Sequence, residues 1–360
     1  MANTEWDYFR LVNIKGIGST SVRKLLDSFD DIEAIFNASK TELENVIEHK
    51  AETFLLNKDS DEIKRNYERI KDKNINFIHL EDKRYPDKLR ELYDKPIGLY
   101  VMGRLPKKEN LNISIIGARQ ASNYGLEMAR YFARELAKNG VNVISGLAYG
   151  ADSMAHRGAL EAGGYTLGVL GSGINICYPK ENYDIYEQMK EKGGIVSENG
   201  LDTKPSAGLF PIRNRIIAAM SDGILVTEAR EKSGTLITVD QGLELGRDIF
   251  AIPGRNGEAL SLGCNRLIQN GAKLVTNLDD ILDEYRQLDK EPDDIRLHVD
   301  AKLSKEERFI YEMLDLDPAF VEIIIEKSHM SPPKVLRILL ELENMGLVKR
   351  VNGSYYSVVI

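Results

Sequence analysis

Short apolar runs that end in glycine-rich turns are the first feature of this chain that could do chemistry. Free backbone N–H groups in such a turn, with a helix amino terminus behind them, hold anions. Three such turns follow one another: Gly117-Ala118-Arg119-Gln120-Ala121-Ser122, with Tyr124 and Gly125 opening the next helix; Ser145-Gly146-Leu147-Ala148-Tyr149-Gly150; and Gly171-Ser172-Gly173. Arg119 adds a forked, permanently charged donor that suits a phosphate. Glycine also serves any tight strand-to-helix turn, so one turn alone says little, whereas three on one sheet edge make an anion-binding rim. Lys180, after Tyr178-Pro179, stands near the fourth turn. Ser233-Gly234-Thr235, after the run GILVTEA, either binds a phosphate or caps a helix. Phe210-Pro211-Ile212-Arg213-Asn214-Arg215 is read as opening a helix, RNRIIAAMS. Two arginines in a first turn oppose the helix dipole, a conflict that a bound anion resolves; the alternative is that Arg213 and Arg215 pair with carboxylates elsewhere.

Catalytic chemistry finds less support. Asp152 and His156 lie four apart on one helical face, the spacing of an acid/base pair, but no nucleophile accompanies them, and the reading favours structural or orienting roles. The five histidines, His49, His79, His156, His298 and His329, lack metal-ligand spacing. Neither a Gly-x-x-x-x-Gly-Lys-Ser/Thr loop nor a Gly-x-Gly-x-x-Gly opening of the first βα turn is present, so no cofactor is expected. Cys177 and Cys264 are too few for a disulfide framework or a cysteine-rich metal site and are read as reduced core thiols.

The elements that must carry these turns are strands that alternate with helices. ISIIGA, VNVISG, TLGVLG, GIVSE, GILVTEA and DIFAIPG are short β-rich runs, each followed by a turn and a helical pattern. That alternation implies βαβ units and a doubly wound, mostly parallel α/β sheet. The expected division is an N-terminal helical domain, SAM-like or helix-hairpin-helix-like, over 1–84, an extended Rossmann-like domain over 85–285, a polar linker over 286–301 and a C-terminal winged-helix domain over 302–360. Within 1–84, Ile14-Lys15-Gly16-Ile17-Gly18 has the form of a helix-hairpin-helix, a motif whose amides meet duplex phosphates, or it is a plain interhelical turn. The last segment shows three helical patterns and a hairpin joined by Asn352-Gly353, the outline of a winged helix-turn-helix.

The chain of 360 residues carries a net charge of −8 and 42% hydrophobic residues, values of a globular protein. No segment of the division above has a basic excess, which excludes non-specific basic coating of nucleic acid. Any such site is a focused patch of particular residues and backbone amides. No run approaches the roughly 20 apolar residues of a membrane helix, and MANTEWDYFRL lacks an apolar signal core, so a cytoplasmic location is expected.

Taken together, IIGARQASNYG, ISGLAYGADSMAHRGAL, VLGSGINICYPKEN, SENG, FPIRNRIIAAMSDGILVTEA, SGTLITVDQGLELGRDIFAIPG and GCNRLIQNGAKLV resemble the DprA/Smf family of DNA-processing proteins over roughly residues 85 to 285. The resemblance implies an extended Rossmann-like domain that binds and protects single-stranded DNA and helps load the RecA recombinase during natural transformation. By position, it implies an anion pocket at Arg119, Lys180, Arg213 and Arg215. Gly117, Ser145, Gly146, Gly171, Gly173, Asn214, Ser233, Gly234 and Thr235 would supply backbone or hydroxyl contacts. It also implies a homodimer through Cys264 to Lys273, with Leu267 and Ile268 as apolar contacts. The rival is an enzyme of the lysine-decarboxylase-like phosphoribohydrolases, which carry a Pro-Gly-Gly-x-Gly-Thr-x-x-Glu loop. Aligned on Gly234-Thr235, this chain has Thr238 in place of the catalytic glutamate and lacks the leading Pro-Gly-Gly, although Glu228 is nearby. A transcription regulator acting through the winged helix is disfavoured because the third helix sets only Lys334 and Arg337 against Glu341 and Glu343.

Overall fold

The computed structural model describes residues 4–286, 303–314, 318–345 and 347–358, which fall into two compact units, Met1–Ile281 and Leu282–Ile360. In the first unit, nine strands form one sheet: β1 (Asn76–His79), β2 (Gly98–Gly103), β3 (Asn112–Ile116), β4 (Asn142–Ser145), β5 (Thr166–Leu170), β6 (Gly194–Ser197), β7 (Gly223–Val226), β8 (Asp248–Ala251) and β9 (Lys273–Leu274). Their order across the sheet is β1-β2-β6-β5-β4-β3-β7-β8-β9. The run from β6 to β9 is parallel, and β2 pairs antiparallel with both β1 and β6. Strands β3, β4, β5 and β7 are buried along their whole length, as near-continuous apolar runs demand when helices cover both faces. From β3 the chain winds one way through β4, β5 and β6 and the other way through β7, β8 and β9. The switch point therefore lies between β3 and β7, where an open α/β sheet forms its crevice.

The N-terminal helices do not close over a core of their own. Phe9, Leu25, Leu43 and Phe54 belong to one cluster with Tyr100, Leu170, Ile174 and Ile195, so the segment read as 1–84 shares its core with the sheet, and β1 lies inside that segment. In the hairpin at Ile14 to Gly18, Gly16 takes φ +85° while Ile14 and Ile17 are buried. Both cysteines are free; Cys264 is buried, but Cys177 is only half-buried, a correction to its reading as a core thiol. Most of the expected linker lies outside the described residues, and its first residue, Arg286, ends a helix, Asp279–Arg286.

The second unit has helices Lys305–Tyr311, Val321–Ser328 and Pro332–Asn344 and a small sheet of Ala319–Phe320, Val348–Asn352 and Tyr355–Val358, a winged-helix arrangement. Ser304 and Glu307 form a capping box at its first helix. On the third helix Lys334 pairs with Glu306, and Arg337 lies 3.7 Å from Glu341, so both basic residues of that helix are engaged within the unit. No helix among the described residues is long and apolar enough to cross a membrane.

His156 is fully buried. Its Nδ1 lies 2.7 Å from Thr166 Oγ1, and Thr166 spends its single proton on Val143 O at 2.8 Å, so Thr166 accepts from Nδ1–H. Burial holds the imidazole well below its ordinary value, at about 3. The unfolded chain binds this proton near pH 6.5 and the folded chain does not. The stability that His156 contributes is therefore complete above about pH 6.5 and lost as pH falls towards 3. In urea unfolding followed by circular dichroism, His156→Asn should reduce the slope of stability against pH in that window by up to about 1.4 kcal/mol per pH unit, one proton's worth, whatever its effect at pH 7. An unchanged slope contradicts the neutral, proton-refusing ring.

Candidate functional site

A cavity of about 1240 Å³ opens at the carboxyl edge of the sheet over the switch point. Its walls are the turn after β3 (Gly117 to Ala121), the turn after β4 (Ala148 to Met154), the start of the helix Leu209–Met220 and the segment after β7 (Arg230 to Thr238). A smaller recess adjoins it, lined by Arg119, Gly146, Gly171, Tyr178 and Phe210 among others. The structure thus brings Gly117, Arg119, Arg213, Asn214, Ser233, Gly234 and Thr235 to one cavity, with Gly146 and Gly171 beside it.

Arg213 is the floor of this site. The helix that carries it begins at Leu209, with Pro211 in its first turn, so Arg213 and Arg215 lie beyond the positive end and the expected dipole conflict does not arise. The Arg213 side chain is buried, and its Nη1 donates to Gly146 O at 2.6 Å and to Val169 O, the carbonyls at the ends of β4 and β5. Its Nε donates to Asn214 Oδ1 at 3.1 Å. Gly146 is glycine because a Cβ there would run into the guanidinium. Asp152, also buried, accepts from Gly146 N at 3.1 Å. Burial pushes the Asp152 carboxyl up, opposed by Arg213, and burial pulls Arg213 down to about 10, opposed by Asp152. The two stabilise each other's charged forms and fix the turn after β4. Asp152 and His156 therefore make separate structural contacts and not an acid/base pair, since His156 is held by Thr166.

Other glycines in the rim also serve packing. A Cβ on Gly171 would sit 2.8 Å from Phe210 Cδ1, and a Cβ on Gly173 would strike the backbone of Gly200 to Thr203. Gly173 instead donates its N–H to Thr203 O at 2.8 Å, outside both recesses. Gly117 O accepts from Thr235 Oγ1 at 3.1 Å, which ties the turn after β3 to the helix Gly234–Glu244 across the switch point. Ser233 caps that helix, accepting from Thr235 N at 3.2 Å. Ser145 is fully buried between strands and donates to Ile115 O at 2.7 Å, so it lies outside the cavity.

Arg215 departs furthest from expectation. It points away from the cavity into an acidic pair, with Nε 2.8 Å from Asp94 and Nη2 2.6 Å from Glu198. Burial pushes the Glu198 carboxyl up, and Arg215 opposes that shift. Lys180 is exposed and lies outside the lining of both recesses, although Tyr178 and Pro179 line the smaller one. Leu267 and Ile268, on the helix Leu262–Gln269, are half-buried and pack against the sheet's core.

Three features escaped the reading of the sequence. Arg230 is exposed at the cavity wall. Phe210 lies under the Arg119 guanidinium, 4.9 Å from ring centroid to carbon. Glu228 is buried and accepts from Ser122 N at 2.8 Å and Ser122 Oγ, so a carboxylate of the protein occupies the amino end of the helix Asn123–Lys138. Gly125, whose Cβ would overlap the Glu228 carboxylate, makes room for it. Glu228 would not be paired with Ser122 from spacing alone, because the contact spans 106 residues.

The arrangement resembles known proteins in sequence and in fold. Residues 76–286 match the family of the DNA recombination-mediator protein A, and residues 298–354 match the DprA winged helix domain. DNA processing protein DprA of Bacillus subtilis is 37% identical over 215 residues, covering 59% of this chain and 72% of that protein. The X-ray structure of DNA processing protein A from Streptococcus pneumoniae superposes with a TM-score of 0.70 at 32% identity, covering 79% of this chain and 99% of that one. A structure of DNA processing protein A from Helicobacter pylori, described for its single-stranded DNA binding mode, gives a TM-score of 0.52 at 29% identity, covering 59% of this chain and 96% of that one.

The two arginines separate by experiment. Arg215→Ala leaves Glu198 without its buried partner and should lower unfolding stability by roughly 3 kcal/mol. Arg119→Ala, at an exposed position, should leave stability within about 0.5 kcal/mol of the unaltered chain. Denaturant titration of both variants checks this, and equal stabilities would contradict the opposite placements of the two side chains.

Proposed function

Because the chain belongs to the DNA recombination-mediator protein A family, the DprA/Smf family of DNA-processing proteins, we propose that it binds single-stranded DNA at the cavity over the switch point, protects it and helps load a RecA-type recombinase on it. The observation that carries the reading is the juxtaposition, in one cavity, of Arg119, Arg230 and the amino end of the helix Gly234–Glu244 with the partly exposed rings of Tyr149 and Tyr178. Cations and helix amides suit phosphates; aromatic faces suit unpaired bases, which a duplex keeps stacked inside itself. Arg119 is the proposed phosphate contact, with Lys180 and Arg230 as flanking cations. Arg213 and Asn214 form the floor beneath the strand, Ser233, Gly234 and Thr235 its far wall, and Gly117, Gly146 and Gly171 the near one. Ser145, Gly173 and Arg215 support the site without touching it.

The proposed role is binding without catalysis. Thr238 cannot supply the carboxylate of a phosphoribohydrolase, and Glu228, the nearby alternative, is occupied by Ser122. The proposed assembly is a homodimer through Cys264 to Lys273, where Leu267 and Ile268 keep part of their surface outside the core. Two cavities on one strand then gain in effective concentration. A cytoplasmic setting fits a recombinase partner.

A salt-series titration with single-stranded and blunt duplex oligonucleotides, with light scattering on the same samples, tests these proposals together. The expected result is tighter binding of the single strand, a particle of twice the 40.5 kDa chain mass, and at least a tenfold loss of affinity in Arg119→Ala. The slope of log affinity against log salt should fall by about 0.7 for each phosphate contact removed. Equal affinity for duplex contradicts the substrate, and a particle of single-chain mass with and without DNA contradicts the dimer.

A further inference from the structure

Residues 198–208 join β6 to the helix Leu209–Met220, and Pro205, Ser206 and Ala207 within them line the cavity. Ser206, Ala207 and Gly208 are exposed, and from Lys204 to Gly208 the one hydrogen bond among the described residues is accepted by Ser206 O from Leu209 N at 3.1 Å. The place of this wall is therefore set earlier in the loop, at Asp202. That residue takes φ +62°, in the left-handed region that aspartate tolerates better than most side chains. Two other elements hold it there. Its N–H donates to Asn175 Oδ1 at 2.9 Å and its Oδ1 accepts from Asn175 Nδ2 at 2.8 Å, in the turn after β5. From the N-terminal segment, Arg69 on the helix Asp61–Asp72 closes a fork on the same carboxylate, at 2.6 Å to Oδ2 and 3.1 Å to Oδ1. Arg69 is steadied in turn by Asn66 Oδ1 at 2.9 Å. A second tie runs from the helix Ser19–Ser28, where Arg23 donates to Asp94 O at 2.8 Å while the Asp94 carboxylate holds Arg215, two residues beyond the Arg213 floor.

We propose that Arg69 and Asp202 are positioning residues of the site: through this pair the N-terminal helices brace the loop after β6 and hold the wall from Pro205 to Ala207 in its binding position, without touching the strand. The proposal rests on the single-strand reading above and adds to it a role for the N-terminal segment. A forked arginine–carboxylate pair fixes direction as well as distance. Because the pair is half-exposed, it adds little to the stability of the whole fold. Its effect lies instead in the fraction of molecules whose wall already stands in place, and that fraction scales the apparent affinity directly. Charge alone would act the other way at Asp202. Removing a carboxylate near a polyanion relieves repulsion and tightens binding, whereas removing half of a brace weakens it.

A double-mutant cycle across the pair tests it. The full chain, as wild type, Arg69→Ala, Asp202→Asn and the double variant, is titrated with an oligothymidylate over a salt series, and hydrogen exchange of each DNA-free protein is followed by mass spectrometry. Asparagine keeps the tolerance for a left-handed backbone, so Asp202→Asn alters the charge and leaves the turn its conformation. Each single variant should bind about 3- to 10-fold more weakly, between the worth of a screened surface pair and that of a charge-assisted hydrogen bond. The double variant should lose no more than either single one. Denaturant midpoints and salt slopes should match wild type, and exchange should quicken in the peptides spanning 171–176 and 200–210. Unchanged or tighter binding by Asp202→Asn, losses that add in the double variant, or unchanged exchange in those peptides overturns the brace while leaving single-strand binding intact. So does a salt slope reduced by about 0.7 in Arg69→Ala, the mark of a direct phosphate contact. A wild-type chain that does not hold the strand overturns the single-strand reading and the positioning role with it.

Discussion

The site depends on one buried cation. Taking a guanidinium out of water costs several kcal/mol unless its donors are met, and Arg213 meets them with the carbonyls that end β4 and β5, the amide oxygen of Asn214 and the nearby charge of Asp152. The same contacts hold two strand ends and the turn after β4 in fixed relation, so the cavity wall is part of the core's hydrogen bonding and not a mobile loop's. Gly146 is the constraint's counterpart, since the guanidinium fills the space a side chain would take. With the floor neutralised from below, the exposed Arg119 above it stands free to meet an anion.

Charge across the rest of the surface explains how an acidic chain can offer an anion site. Arg130 is matched to Glu161, Arg157 to Asp184, Arg266 to Glu231 and Arg69 to Asp202, each within 3 Å. These exposed pairs add little stability, but they cancel one another's field beyond a Debye length of about 8 Å at physiological salt. Arg119, Lys180 and Arg230 have no carboxylate paired with them among the described residues, and two of the three line the cavity. On the proposed reading, local geometry and not net charge determines where a polyanion binds.

Much of this was legible in the residues. Apolar runs ending in glycine turns announced the parallel sheet, whereas the strand order that sets its switch point is visible only in the structure. Misreadings arose where periodicity is silent. Position along the helix Leu209–Met220 shows that Arg213 and Arg215 are near one another but not that one turns to strand-end carbonyls and the other to Asp94 and Glu198. Pro211, a residue favoured in first turns, was the available sign that this helix starts before Arg213. Glycines were read as sites of phosphate approach, and patterning did not show that Gly146, Gly171 and Gly125 also admit Arg213, Phe210 and Glu228, neighbours distant in sequence. The shared core of the N-terminal helices and the sheet was hidden for the same reason, because apolar patterning marks buried faces without naming what covers them.

Hydrogen exchange of the full chain, alone and saturated with a single-stranded oligonucleotide, tests most directly that the nucleic acid sits over the Arg213 floor. The account predicts slowed exchange in the turns at 117–123, 148–154 and 230–238, with the segment 303–358 unchanged. Slowed exchange confined to 303–358, with those three turns unaffected, would contradict it.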